Sequence, residues 1–396
     1  MHTAPIWVRI LAAATVAAAA VVSQDGPATA APVYPAPDPD GFYAAPSDIA
    51  GWEPGEVIRS RRVQSAIFPA VAIWQLLYRS TNSAGAPIAA VTTVLVPPGG
   101  PDRPLVSYQP FVNSLGLHCA PSHALFDGSL REAPALNLLL ARGWAAAVPD
   151  HLGPTSAYGA AQLGGRLTLD GIRAARRFGA AGLSNSPVGM LGYSGGGMAT
   201  GFAAALAPRY APELPLVGSA QGGVPVDLGK LALDVGRSPN PLFGLGFAAA
   251  VGLEREYPDQ VHLDRLLNPA GIALRARLAD ACTNEIIDAG ADHRFDDYFD
   301  GPLEADTPTV EVLHANSLTF YPGVPRVPIY EWHGAADVVS PQSVREMAAR
   351  YCASGALVDL DLVPGADHGG AMLPGAVRAI EYLGDRFVGR PATSTC

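Results

Sequence analysis

Val188-Gly189-Met190-Leu191-Gly192-Tyr193-Ser194-Gly195-Gly196-Gly197-Met198-Ala199 is the stretch that decides the fold. Val188 to Tyr193, behind Pro187, is a short apolar run of the length expected for a buried strand. Gly195 to Leu206 reads as a helix of small residues. Between them, Gly192-x-Ser194-x-Gly196 has the G-x-S-x-G form of a nucleophile elbow. The serine of such an elbow sits on a sharp strand-to-helix turn in a strained backbone. Its hydroxyl is pushed into the open at a helix N-terminus, where the dipole favours negative charge. Side chains two residues either side would clash across the turn, so glycine is required at 192 and 196. The five residues alone are a weak signal in a chain with 43 glycines, and the flanking strand and helix give them weight.

Outward from the elbow, strand and helix signals alternate. Ile88 to Val96 is a strand ended by Pro97-Pro98-Gly99-Gly100, and Leu105 to Phe111 is another. Leu136 to Ala141 is helical, Trp144 to Val148 is a strand, and Leu167 to Phe178 has helical spacing at Leu169, Ile172, Ala175 and Phe178. Leu216 to Ala220 is a strand. The alternation resumes after Thr309, with strands at Val327 to Trp332 and Leu357 to Val363 and helices at Pro341 to Tyr351 and Ala376 to Phe387. The pattern predicts an α/β fold with a mainly parallel sheet covered on both faces. Between Val224 and Thr309 helix-like stretches dominate, notably Pro241 to Leu253 and Leu263 to Asp288. Residues 224–309 are therefore expected to form a helical cap or lid inserted between a first core part, 31–223, and a second, 310–396. Leu242 to Val251 within it suits either an acyl-binding wall or ordinary core helix.

The chain has 396 residues, 49% hydrophobic and 16% charged, enough apolar side chain for a sizeable core. Lys+Arg is 26 against Asp+Glu 36, and Lys230 is the only lysine. A net charge of -10 argues against a nucleic-acid partner, which needs a basic face. Arg9, the apolar run Ile10 to Val22 and Ala28-Thr29-Ala30 have the layout of a secretory signal peptide over 1–30. That run is too short for a bilayer, and no other suggests a transmembrane segment. Export permits disulfides. The four cysteines, Cys119, Cys282, Cys352 and Cys396, allow three pairings, and spacing does not choose among them.

A serine hydroxyl needs a base, and the base needs a third group to fix its tautomer. After a nucleophile elbow the acid and then the histidine follow in chain order. His333-Gly334-Ala335-Ala336-Asp337 and Gly365-Ala366-Asp367-His368-Gly369-Gly370 each follow a strand, at the carboxyl edge where such sheets place their sites. Asp337 is the expected acid and His368, in a Gly-flanked mobile loop, the expected base. Asp367, Asp359 and Asp361 are the rival acids. His118, His123 and His151 precede the serine; His262, His293 and His314 lie in or near the insertion; His333 is expected to shape the Asp337 turn. An oxyanion hole needs two backbone N–H donors. Gly195 should supply one, and the segment Asn113-Ser114 after an early strand the other. There is no H-E-x-x-H, C-x-x-C or P-loop, so no metal or cofactor is expected. Asp292-His293 and Asp296-Asp297 read as a solvated acidic loop.

These residues resemble the secretory lipase family: Tyr108-Gln109-Pro110 leading to Asn113, Cys119-Ala120-Pro121-Ser122, Asp150-His151-Leu152-Gly153, the elbow, His333-Gly334 with Asp337, and Asp367-His368. The resemblance covers most of the chain after the leader. It implies an α/β-hydrolase core with a mainly helical cap, hydrolysis of carboxylic esters, typically acylglycerols, and no cofactor. It implies Ser194 as nucleophile, His368 as base, Asp337 as its orienter, and the backbones of Asn113 and Gly195 as oxyanion hole. It also implies disulfides Cys119–Cys282 and Cys352–Cys396. One departure is that a yeast member carries aspartate where this chain has Asn113. The expected partner is an ester or lipid substrate, with a lipid–water interface as a candidate meeting place. The alternatives are an esterase for short-chain or acetylated non-lipid esters, and a catalytically silent hydrolase-fold binding protein.

Overall fold

The computed structural model describes residues 1–2, 31–302 and 305–396. All but the first two residues of the expected signal peptide lie outside the described residues. Nine strands form one sheet: β1 (Val57–Val63), β2 (Ala72–Thr81), β3 (Pro87–Val96), β4 (Leu105–Gln109), β5 (Ala145–Pro149), β6 (Val188–Tyr193), β7 (Leu216–Gly222), β8 (Ile329–Gly334) and β9 (Val358–Val363). Their order is β1-β2-β3-β5-β4-β6-β7-β8-β9. From β5 to β9 every pairing is parallel, while β1, β2 and β3 join antiparallel at one edge. This is the expected α/β architecture. Two strands on the antiparallel side, the edge strand β1 and its neighbour β2, have no counterpart in the sequence reading.

The helices are α1 (Pro121–Asp127), α2 (Ala133–Ala141), α3 (Ala161–Arg177), α4 (Gly195–Tyr210), α5 (Leu228–Gly236), α6 (Phe243–Glu256), α7 (Leu263–Leu266), α8 (Pro269–Arg277), α9 (Thr283–Gly290), α10 (Thr307–Ala315), α11 (Pro341–Ala353) and α12 (His368–Phe387). Alternation along a strand sends successive side chains to opposite faces. On β6, Val188 and Met190 enter one core with α3, α4 and α11, while Leu191 and Tyr193 enter the other with α1, α2 and α12. Both faces are thereby covered, which is why β5 and β6 are buried at every position.

Between β7 and β8 the described residues form six α-helices, α5 to α10, the last running past residue 309. The helix-like stretch Leu263 to Asp288 is divided into α7, α8 and α9, interrupted by Pro269 at the start of α8 and by the Cys282 turn before α9. Helix α6 packs into the core on one side and lines a cavity on the other. Phe243, Phe247, Ala248 and Val251 are core, while Leu245, Ala249 and Leu253 line a cavity. No helix among the described residues is long and apolar enough to cross a membrane.

Cys119 is joined to Cys282 and Cys352 to Cys396, and the described residues contain no free cysteine. The first bond ties the segment before α1 to the insertion. The second fastens the chain's last residue beside β9, where Thr395 N donates to Val358 O at 2.8 Å.

The Cys352–Cys396 loop spans 44 residues, and a loop of this length contributes about 4 kcal/mol in the loop-entropy account. Replacing both cysteines by alanine should lower Tm by roughly 5–10 °C in a calorimetric scan. An unchanged Tm would mean that the β9 contacts alone hold this terminus. A second expectation concerns acid. Burial pushes the His151 imidazole down to about 4. The unfolded chain holds a proton there up to about pH 6.5, so unfolding takes up a proton between these values. The contribution is complete above about pH 6.5 and is lost as pH falls towards 4. His151→Leu should therefore narrow the gap between urea midpoints taken at about pH 7 and about pH 4.5. An equal gap in both proteins would remove His151 from the acid response.

Candidate active site

Ser194 follows β6 and precedes α4 with φ 53° and ψ −121°, a positive-φ conformation that costs a non-glycine residue of order 1–3 kcal/mol. The neighbouring glycines make that turn feasible. A Cβ on Gly192 would lie 2.5 Å from Gly196 O and Thr200 Oγ1, and one on Gly196 would lie 1.9 Å from Gln109 O. The steric reason for glycine at 192 and 196 therefore has named atoms behind it. Ser194 N donates to Gly222 O at 2.8 Å, which fastens the turn to the end of β7.

His368 stands at the first position of α12, not in the mobile loop expected from its glycine neighbours. The helix begins eight residues before the expected Ala376. Asp367 accepts from Gly370 N at 2.7 Å as its N-cap, and this cap overrides the low propensity of Gly369, Gly370 and Pro374. The fixed backbone aims the imidazole. His368 Nε2 is 2.9 Å from Ser194 Oγ, and Nδ1 is 2.9 Å from both carboxylate oxygens of Asp337. Asp337 sits in the loop after β8, buried, and its Oδ1 also accepts from Val339 N at 2.8 Å. With Nδ1–H donated to the carboxylate, Nε2 is left as the acceptor for the serine proton. The structure thus brings together three side chains 31 and 174 residues apart.

The rival groups are occupied elsewhere. His333 is buried and donates from Nε2 to Val339 O at 2.8 Å, and burial pushes its imidazole down. It braces the Asp337 turn. Asp361 accepts from Tyr330 Oη at 2.7 Å and from Arg378, and Asp359 accepts from Thr393. His123 pairs with Asp38 at 2.8 Å and His293 with Asp297 at 3.0 Å. The one cluster of three His/Cys/Asp/Glu ligand atoms among the described residues is His118 with Cys119 and Cys282, and both its sulfurs are in the disulfide.

Asn113 follows β4, buried, on the opposite side of the elbow. A Cβ on Gly195 would lie 2.4 Å from Asn113 Oδ1, so the two segments face each other closely and a side chain at 195 requires the Asn113 amide to shift. The N–H groups of the first turn of α4 have no partners within the helix, as at any helix start. Tyr193 is a residue the sequence reading passed over. Its hydroxyl donates to His368 O, and its ring lies 5.3 Å from the imidazole and 5.6 Å from Trp332. Its place inside the elbow was visible, but its partner 175 residues away was not.

A cavity of about 380 Å³ opens over Ser194. The core supplies Phe111, Met198 and Met372, and the insertion supplies Leu231, Leu245 and Phe299. Arg131 is the only Lys, Arg, Asp or Glu among the described residues on its wall, and it donates to Asn284 of α9. The site is a hydroxyl with an oriented base at the floor of an apolar, substrate-sized space.

The description "secretory lipase" fits a family model over residues 131–395. A "probable inactive lipase" of Mycobacterium tuberculosis is 35% identical over 380 residues, covering 91% of this chain and 84% of its own. A "secreted triacylglycerol lipase" of Malassezia globosa is 34% identical over 385 residues, covering 90% and 81%. The closed-state crystal structure of Candida antarctica lipase A superposes with a TM-score of 0.84 at 29% identity, covering 90% and 87%. With the geometry and these matches together, the chain belongs to the secretory lipase family.

Proposed function

We propose that this protein is an exported triacylglycerol lipase that works by acyl transfer to Ser194. The observation that carries the reading is the pair of 2.9 Å contacts from His368, to Ser194 Oγ and to Asp337, beneath an apolar cavity. His368 Nε2 takes the serine proton as Oγ attacks the ester carbonyl carbon. Charge on the carbonyl oxygen is met by the backbone N–H groups of Asn113 and Gly195. Asp337 keeps Nδ1 protonated and stabilises the imidazolium. The tetrahedral centre collapses, the alcohol leaves with the proton from Nε2, and the acyl group stays on Ser194. Water, deprotonated by His368, then attacks the acyl carbon. The acid departs and Oγ recovers its proton, so no cofactor enters the balance.

The acyl chain lies along the apolar wall, where burial of each CH₂ contributes about 0.8 kcal/mol. Residues 224–309 act as the cap, so a lipid–water interface is the place where a long-chain substrate would enter. Residues 1–30 direct export, in keeping with the two disulfides and the secreted relative. A second reading, a silent binding protein, draws support from the relative named as a probable inactive lipase. A relative's name does not decide turnover, whereas an oriented base at hydrogen-bond distance from the hydroxyl favours it.

Ser194→Ala should reduce kcat on p-nitrophenyl esters by roughly 10⁴-fold or more with the fold intact by circular dichroism. Full retained activity would end the proposal. Gly195→Ala drives a methyl group towards Asn113 Oδ1 and should cost about 10²-fold or more in kcat, measured on the same esters. A rate near the parent's would show that this contact relaxes cheaply. Across an acyl-chain series with and without an emulsion, activity should persist to long chains and rise at the interface. Activity confined to short, soluble esters would support the esterase reading instead.

A further inference from the structure

We infer that Glu132, at the N-terminus of α2, is a positioning residue for the oxyanion hole. This rests on the proposed role of the Asn113 backbone. The segment Pro110 to Gly116 must hold one N–H in place without belonging to a helix or a strand. Its far half is pinned from the insertion. Leu115 N donates to Ala281 O at 2.9 Å, and Leu115 O accepts from buried Arg255 at 2.7 Å. Its near half has a different anchor. Glu132 Oε2 accepts from Phe111 N at 2.8 Å, and Oε1 accepts from Tyr108 Oη at 3.0 Å. One carboxyl group therefore bridges the end of β4 to the second residue beyond it, spanning Pro110, which has no N–H to offer. Phe111 in turn lines the cavity beside Asn113.

The bridge has no competing partner: Glu132 forms no ion pair among the described residues, although Arg131 precedes it. Burial pushes its carboxyl up to about 8, and burial pushes the Tyr108 hydroxyl well above its usual range. Below about pH 8 the bridge is thus between neutral groups. A glutamine can keep both contacts with the second one reversed: its oxygen takes the Phe111 N–H, and its amide donates to Tyr108 Oη, which then accepts. An alanine cannot, and an aspartate is one methylene too short to reach both partners from the same backbone.

The test is steady-state kinetics on p-nitrophenyl butyrate at about pH 7, with the affinity of an alkyl trifluoromethyl ketone measured alongside. That ketone adds the serine oxygen and places a hemiketal oxyanion where the transition state has one. Glu132→Ala should lower kcat about tenfold or more with KM within about twofold, and should weaken the ketone by a similar factor. Glu132→Gln should restore both quantities to within about threefold of the parent. If the alanine variant does not fold by circular dichroism, Glu132→Asp is read in its place and should show the same split between kcat and KM. Parental kcat in the alanine or aspartate variant overturns the inference. So does a loss that glutamine fails to restore, or one that appears in KM and leaves ketone affinity untouched. A dead Ser194→Ala beside a parental Glu132→Ala defeats this inference alone, whereas an active Ser194→Ala defeats the catalytic reading on which it stands.

Discussion

The hydrogen bond from Ser194 Oγ to His368 Nε2 exists because the serine is forced into a backbone conformation that its own side chain disfavours. A φ of 53° lifts the hydroxyl out of the strand-to-helix turn, and every neighbour that permits it is small. Gly192, Gly196 and the Gly222 carbonyl surround the turn closely, so the strain is carried by packing on three sides. The serine meets the imidazole only because β6, β8 and β9 run parallel, which brings their carboxyl ends to one edge. The sheet is in this sense the ruler for the site. Trp332 on β8 shows how tightly it is set: a Cβ on Gly222 or on Gly375 would fall within 2.1 Å of its ring.

The insertion completes a different half of the site. The sheet supplies the polar atoms and the helices between β7 and β8 supply most of the apolar wall. Arg255 of α6 is the main joint between the two halves. Its buried guanidinium donates to carbonyls of Val33, Leu115, Thr155, Ser156 and Ala279, with no carboxylate among the described residues hydrogen-bonded to it, and burial lowers it to about 10. Arg275 adds a buried pair with Glu254 at 2.8 Å and donates to Ala31 O at 3.0 Å. The lead-in after residue 30 is therefore bonded to the insertion as well as to the core, where Asp38 meets His123.

Much of this was legible in the residues because it follows from local sterics and apolar runs. The elbow, the strand ends and the short loop segments that carry Asp337 and His368 each lie within a few consecutive positions. What escaped reading had no such local mark. Strand β1, Val-Ile-Arg-Ser-Arg-Arg-Val, carries three arginines because an edge strand is protected by charge, so it does not look like sheet. Strand β2 buries residues on both faces without clean alternation. Helix α12 begins at His368 through an aspartate cap, although Gly369, Gly370 and Pro374 argue locally for a loop. Tyr193, Arg255 and Glu132 matter through partners more than 20 residues away or on the backbone, which residue type alone does not disclose.

The central claim is that Ser194, and no other hydroxyl, is made nucleophilic by its neighbours. Its most direct measurement is peptide mapping by mass spectrometry after treatment of the intact protein with a stoichiometric alkyl fluorophosphonate. The account predicts a single adduct on the peptide carrying Ser194, abolished when the protein is unfolded before treatment. An unlabelled folded protein, or an adduct that forms elsewhere and leaves Ser194 free, would contradict it.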